Sequence, residues 1–290
     1  MPNTIALAKN YTSILDEVYK NASVTADLTS DNTMVRAGAN ANEIVYPQVD
    51  VNGLGNYDRN SGYTDNSVSV VWKTATFNYD RGTKIAVDVM DNEESRDIAF
   101  TMAGSELMRT KVAPEADAFV FATLAGKTGI STATPATYAT AEAFLAALIE
   151  AKNKMDEDEV PEEGRILYAT PTLLNGVMAL DTTKSREVLA TFSKTVKVPQ
   201  SRFYTAIDLL DGKTSGEEAG HYRKATEGKD INFMIVHKPA VIKFDKHTAS
   251  NIIPASANPD ADADISKYRK YGIVDVFANK VAGIYLSHKA

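Results

Sequence analysis

The chain has 290 residues and a net charge of −7, from 38 acidic and 31 basic side chains. That balance argues against a protein that grips nucleic acid through a broad basic face. The absence of cysteine excludes a disulfide framework, a thiolate metal site and a cysteine nucleophile. The N-terminus shows no secretory pattern and no apolar run approaches 18 residues, so we expect a soluble product without a membrane partner. A hydrophobic fraction of 44% is enough for one large core or two ordinary ones.

The first 42 residues predict an arm. Apolar positions in residues 1–22 share one broad face, which indicates a short amphipathic helix. Residues 21–42 are rich in Ser, Thr, Asn and Ala and predict an extended segment. Such a segment gains little from its own packing, so we expect it to lie on another surface. A loose terminus is the alternative.

A long two-stranded ribbon follows. Residues 43–51 predict a strand, which Pro47 places at an edge. Residues 52–66 are rich in Gly and Asn and predict the turn region, with the tip at 53–62. Residues 68–79 predict the return strand, where Val68, Val70 and Trp72 share one side and other apolar groups occupy the opposite side. A lone hairpin is marginal in water, so this ribbon predicts a partner surface, and another copy of the chain is the attractive candidate.

The next stretch predicts a strand that leads into a long helix. Asp80-Arg81-Gly82 suggests a turn, and alternation over residues 84–89 predicts a strand. From Asp91 to Ala125 the spacing of apolar residues is helical over about thirty residues, roughly 45 Å. Pro114 is expected to kink or restart this helix, with Glu115 and Asp117 at the positive end of the new segment.

The second half predicts a small α/β module. Residues 126–140 are a Gly/Ser/Thr-rich link at a domain boundary, and residues 141–155 predict a helix. A short buried strand at 165–168 and a helix at 172–180 follow. Residues 231–244 predict two strands around Lys238-Pro239, and residues 268–286 predict β-structure at the C-terminus.

No motif supports catalysis or a cofactor. Asp260, Asp262 and Asp264 have the first three spacings of a calcium loop, but Ile265 and Tyr271 occupy the positions where Gly and Glu are required, so a solvated acidic turn is expected. Gly53-Leu54-Gly55 lacks the third glycine of a dinucleotide fingerprint. The four histidines form no close ligand pair. We therefore expect neither a metal nor a cofactor, and no enzymatic activity.

The order of these elements carries a resemblance, supported by short signatures along the chain. They are Gly53-Leu54-Gly55-x-Tyr57-x-Arg59, Asp80-Arg81-Gly82, Val87-Asp88-x-Met90-Asp91, Pro114-Glu115-Ala116-Asp117-Ala118, Gly164-Arg165, Pro171, His237-Lys238-Pro239-Ala240-Val241, Pro254, Asp262-Ala263-Asp264 and Asn279-Lys280-x-x-Gly283-Ile284-Tyr285. Each signature is weak alone, but their order and spacing are fairly specific. Over nearly its whole length the chain resembles a tailed-bacteriophage major capsid protein of the Hong Kong 97 fold.

This resemblance implies an α+β fold with a defined layout. Residues 1–42 would be the N-terminal arm and 43–82 the extended β-ribbon, or E-loop. Residues 83–128 and 247–290 would form a peripheral domain around a long spine helix, and 129–246 an axial α/β domain. The implied contact residues with neighbouring subunits lie in the E-loop: Gly53, Leu54, Gly55, Tyr57, Asp58, Arg59 and Trp72. The implied break in the spine helix lies at Pro114, Glu115 and Asp117.

The resemblance also implies partners and a location. The chain would assemble with itself, as hexamers and pentamers, into an icosahedral shell in the host cytoplasm and would reside in the virion. Packaged double-stranded DNA would be contacted non-specifically, and a portal would complete the shell. Because the E-loop begins near residue 43, a built-in scaffolding segment has no room, and a separate scaffolding protein is expected. Lys73 and Lys84 lie in or near the ribbon, but no full isopeptide constellation matches, so we assign no cross-link.

Two other functions remain open from the sequence. An encapsulin-like compartment would use the same fold around an enzyme cargo in place of DNA, and the content of the shell would discriminate it. An α/β enzyme with an unusual insertion is the second alternative, and the missing catalytic motifs argue against it.

Overall fold

The computed structural model describes residues 23–30, 36–37, 42–60, 62–63, 67–94 and 98–290. The amphipathic helix expected within residues 1–22 lies outside this part of the chain. The chain divides into two compact units, Asp31–Asn78 and a larger one made of Met1–Ser30 with Tyr79–Ala290. In the larger unit, residues 23–30 include a single 3-10 turn, Ala26–Leu28.

The smaller unit is a three-stranded antiparallel sheet. A short strand β1 (Arg36–Ala37) pairs with β2 (Glu43–Val51), which pairs with β3 (Val68–Thr76). The β2–β3 register runs without interruption from Glu43 opposite Thr76 to Val51 opposite Val68. We refer to β2, β3 and the connection between them as the ribbon. The ribbon has the bounds expected for its first strand, and its second strand ends three residues earlier than expected.

The larger unit opens with strand β4 (Tyr79–Asp88), which runs into α1 (Val89–Glu94). The prediction of a turn at Asp80-Arg81-Gly82 is wrong, because these residues lie inside β4 and pair with residues 269–271 of a later strand. Glycine is required there for a different reason. A Cβ atom at Gly82 would lie 2.9 Å from the backbone oxygen of Tyr268, so the close approach of two strands replaces the turn.

The spine helix follows as three consecutive helical segments. They are α2 (Ile98–Leu107), a π-helical stretch (Met108–Val112) and α3 (Ala113–Ala125). Pro114 lies in the first turn of α3, where its missing N–H costs least. The residues on either side of the π stretch keep right-handed helical dihedrals, so the chain changes its hydrogen-bond pattern here without leaving the helix.

An antiparallel sheet of order β11-β12-β4 contacts this helix. Strands β11 (Val241–Ile253) and β12 (Ala263–Val276) form a long hairpin with a bulge between Asp245 and His247. Strand β12 then pairs with β4 along ten residues, from Ala263 opposite Asp88 to Gly272 opposite Tyr79. Met108 and Val112 of the spine helix pack with Tyr268 of β12.

The second large sheet has the order β5-β13-β10-β6-β7. Its strands are β5 (Ser131–Thr132), β6 (Arg165–Ala169), β7 (Lys194–Lys197), β10 (Ile231–His237) and β13 (Ile284–His288). A small hairpin, β8 (Ile207–Leu209) with β9 (Tyr222–Lys224), lies in the same region of the chain. The sequence-based division assigns 247–290 to the peripheral domain, whereas β13 pairs with β10 in this sheet. Its first four residues, 284–287, are all buried, which suits a strand in the interior of a sheet.

Three helices accompany this sheet: α4 (Ala141–Glu157), α5 (Pro171–Leu180) and α6 (Thr183–Ala190). Thr140 caps α4 by accepting a hydrogen bond from the Ala143 N–H, and Thr182 with Ser185 forms a capping box on α6. One hydrophobic core forms around the spine helix, where its Phe121 makes edge-to-face contacts with Tyr168 and Phe203. Within the described residues, the helices are all too short or too polar to cross a membrane.

Candidate assembly surfaces

The ribbon carries one continuous apolar face. Because directly opposed residues of an antiparallel pair share a face, three cross-strand pairs line up along it. These pairs are Pro47–Trp72, Val49–Val70 and Val51–Val68. The exposed fractions are 56% for Val49, 57% for Val51, 63% for Val68, 52% for Val70 and 48% for Trp72. A row of half-exposed apolar side chains on a sheet is typical of an interaction surface.

The opposite face of the ribbon differs along its length. Near the ends of the strands that join the rest of the chain, Ile44, Tyr46 and Ala75 are buried. Nearer the tip, Val71 is exposed opposite Gln48. The sequence predicted apolar groups on both sides but did not distinguish them. The structure shows that exposure is concentrated on the face of Val49, Val70 and Trp72.

The tip brings the remaining predicted contact residues together in one exposed loop. Gly53, Leu54, Gly55, Tyr57, Asp58 and Arg59 are all exposed, and Leu54 is as open as a residue can be, at 104%. Asp58 and Gly62 exchange two backbone hydrogen bonds, and Gly62 turns the chain with a φ of 84°. The Tyr57 ring meets the exposed Tyr63 ring edge to face at 4.9 Å. The tip is therefore a closed turn that presents large side chains outward.

Glu115, predicted at the break in the spine helix, is buried and holds a polar cluster. Its carboxylate accepts hydrogen bonds from Arg81 Nε at 2.6 Å, Arg81 Nη2 at 3.2 Å and the Tyr79 hydroxyl at 3.3 Å. The Nδ1 atom of His221 lies 3.5 Å from its second oxygen. Burial alone would raise the pKa of Glu115, but His221 and Arg81 outweigh this and hold that pKa below its ordinary value. The cluster joins β4, α3 and the loop before β9.

Asp117, two residues further, is fully buried. Its oxygens accept hydrogen bonds from residues 23–25 and from Arg202, whose Nη1 lies 3.1 Å from Oδ2. Both carboxylates were interpreted from the sequence as charges at the helix N-terminus. Their contacts instead tie the helix to distant parts of its own chain. Arg81, Arg202, His221 and the nearby buried Lys243 were missed, because no local pattern links them to Glu115 or Asp117.

The acidic turn at residues 260–264 has no convergent geometry. The Oδ1 atom of Asp264 accepts a hydrogen bond from the Ala255 N–H, and the Asp262 carbonyl accepts one from Val89. In the part of the chain that the structure describes, no group of three or more His, Asp or Glu side chains is placed to hold a metal ion.

Together these elements define the fold. A ribbon, a spine helix against an antiparallel hairpin sheet, and a separate five-stranded sheet with helices make up an α+β capsid fold of the Hong Kong 97 type. Comparison with solved structures agrees with this assignment. The capsid structure of cyanophage P-SCSP1u matches with a TM-score of 0.60 at 14% identity, over 93% of this chain and 88% of that one.

Two further solved structures show the same likeness. The asymmetric unit of the bacteriophage PhiM1 mature capsid matches with a TM-score of 0.58 at 14% identity, over 86% of this chain and 82% of that one. A virus-like particle from Pyrococcus furiosus matches with a TM-score of 0.60 at 10% identity, over 97% and 99%. No protein-family model and no curated protein matches the sequence. The predicted fold is thus confirmed.

Proposed function

We propose that this chain is a structural, non-enzymatic major capsid protein that assembles with itself into the icosahedral head of a tailed bacteriophage. The observation that carries the proposal is the apolar face of the ribbon. Burying an exposed Val fully contributes about 1.5–3 kcal/mol, and here several large apolar groups stand half-exposed in a row. A second copy of the chain can cover this face at every subunit contact of a closed shell.

The proposal also assigns two domains within the subunit. The spine helix with the β11-β12-β4 sheet forms the peripheral domain, and the sheet around β6 and β10 with its helices forms the axial domain around hexamer and pentamer centres. Strand β13 belongs to the axial sheet by its pairing, so the C-terminal segment serves both domains. The tip residues 53–59 and Trp72 contact the neighbouring subunit.

The shell would enclose double-stranded DNA, with a separate scaffolding protein and a portal as further partners. The net charge of −7 suits weak, non-specific contact with a packaged polyanion. The assembled protein would reside in the virion. Size-exclusion chromatography with negative-stain microscopy tests the shell directly: closed particles of megadalton mass are expected, and a protein that stays monomeric when coexpressed with scaffold and portal would contradict the proposal.

An encapsulin-like compartment is the second candidate, and the match to the Pyrococcus furiosus virus-like particle over 97% of the chain favours it. The contents of purified particles separate the two functions. Nuclease-protected DNA of genome length supports the phage head. A stoichiometric protein cargo without protected DNA supports the compartment.

A further inference from the structure

Residues 23–30, which we call the strap, supply most of the hydrogen bonds of a buried charge. Asp117 Oδ1 accepts from Ser23 Oγ at 2.7 Å, from the Thr25 N–H at 3.1 Å and from Thr25 Oγ1 at 2.7 Å. Its Oδ2 accepts from the Val24 N–H at 3.0 Å and from Arg202. Four of these five donors therefore belong to three consecutive residues of the strap.

Lys243 of β11 attaches to the same point from the other side. Its buried ammonium donates to the backbone oxygen of Thr25 and, at 2.9 Å, to Thr25 Oγ1. Thr25 thus lies between a buried cation and a buried anion, accepting from one and donating to the other. Such a bridge satisfies both charges only while Thr25 is in place.

The strap is also held at its far end and through its middle. The Ser30 N–H donates to the Lys243 carbonyl at 2.9 Å, and the Lys243 N–H donates back to Ser30 Oγ at 2.7 Å. Leu28 is fully buried in the same hydrophobic cluster as Phe121 of the spine helix. If the strap left this position, Asp117 would keep only Arg202 among these donors and Leu28 would be exposed to water.

We propose that the strap stays docked on its own subunit before and after assembly, and so anchors the chain to that subunit at residues 23–30. Docking after assembly rests on the proposed shell function, whereas docking in the separate subunit does not. The competing arrangement is an exchanged strap, in which Thr25 of one chain meets Asp117 of a second chain. The local contacts are the same in both arrangements, but only the exchanged one depends on association.

Amide hydrogen exchange on the full chain distinguishes these arrangements. We expect the Val24 and Thr25 amides, which donate to Asp117, to be protected roughly a hundredfold or more in dissociated subunits, independently of protein concentration. Protection that appears only in assembled particles, or that rises with concentration, would overturn the proposal. Particles are not needed for the first measurement, so a chain that forms no shell but protects these amides refutes the shell function alone.

A pair of substitutions ties the protection to Asp117. Asp117→Asn keeps the shape but removes the charge, and we expect exchange at Val24 and Thr25 to become at least about tenfold faster, with helix α4 unchanged. Asp208→Asn, which alters an exposed pair with Arg223, is the matched control and should leave both amides unaffected. If Asp117→Asn does not fold, Thr25→Val removes the bridging hydroxyl alone and should accelerate exchange at Val24. Unchanged exchange at these amides in the variant that folds would show that the strap is not held by Asp117 and Thr25.

Discussion

The ribbon and the spine helix distribute polarity in opposite ways. On the ribbon, Val49, Val70 and Trp72 are large apolar groups exposed to solvent. On the spine helix, the carboxylates of Glu115 and Asp117 are buried from solvent. The buried charges have hydrogen-bond partners within the same chain, whereas the side chains on the apolar face of the ribbon are about half exposed. This difference supports the proposal that the contacts of the spine helix form on folding and those of the ribbon form on association.

The largest effect on folding should come from removing a buried charge. Asp117→Ala leaves the donors of Ser23, Val24 and Thr25 and the guanidinium of Arg202 without their acceptor. We expect the free energy of unfolding of the dissociated subunit to fall by about 3–5 kcal/mol, measured by urea denaturation. Asp208→Ala, at an exposed pair, should cost less than about 1 kcal/mol. Equal losses in the two variants would mean that Asp117 does not hold the strap.

Lys243 gives the same buried site a pH dependence. Burial, reinforced by the neighbouring Lys270 and opposed by Asp117, lowers the pKa of Lys243 to about 8 from an ordinary value of 10.5. Between pH 8 and pH 10.5 the Lys243 amine is protonated in the unfolded chain and neutral in the folded one. The free energy of unfolding should therefore rise with pH across this range.

The gain should reach at most about 3 kcal/mol and should be absent in Lys243→Met. The measurement is the difference in unfolding free energy between the native chain and this variant across that range. A constant difference would show that the Lys243 amine titrates normally in the folded subunit.

Two glycines compare the regions directly. Gly82 lies in β4, where a Cβ atom would meet the Tyr268 backbone oxygen at 2.9 Å, whereas a Cβ at Gly53 in the ribbon tip meets nothing within 4 Å. Gly82→Ala should therefore cost about 1–3 kcal/mol because the paired strands must separate. Gly53→Ala should change unfolding by less than about 0.5 kcal/mol. Thermal melting of both variants decides the matter, and a tolerant Gly82 would weaken the close-approach explanation.

Arg59 at the ribbon tip should give the smallest effect on the subunit. Arg59→Glu is expected to leave monomer melting nearly unchanged, because the tip carries no core residue, but to lower the yield of closed shells. A rim ion pair contributes only about 0.2–1 kcal/mol, yet in a shell the loss recurs at every interface. A fall of several degrees in the melting temperature of the monomer would show that the tip packs within its own chain.

Local patterns were enough to predict much of the fold. The first ribbon strand, 43–51, has its predicted bounds because alternation and the Gly/Asn-rich tip are both local signals. The helix at 141–155 and the strand at 165–168 were also located within two residues, since capping and apolar spacing act over one or two turns. The order of these elements then sufficed for the fold class.

Contacts distant in sequence were not predictable in this way. Asp117 meets residues 23–25 and Arg202, which are about ninety residues away on either side of it, and Glu115 meets Arg81 and His221. Charge near a helix start has a sufficient local explanation, so nothing in the spacing indicated burial. Gly82 shows the same limit, because a glycine signals a turn and a close strand contact alike.

We propose that another copy of the chain covers the apolar face of the ribbon. Val70→Lys tests it most directly, since this residue lies mid-strand on that face and is 52% exposed in the subunit. The measurement is the mass distribution of the purified variant by analytical ultracentrifugation, beside its monomer melting curve. We predict monomer stability within about 0.5 kcal/mol of the native chain together with loss of closed shells. Normal shells from Val70→Lys would show that this face of the ribbon is not covered in the assembly.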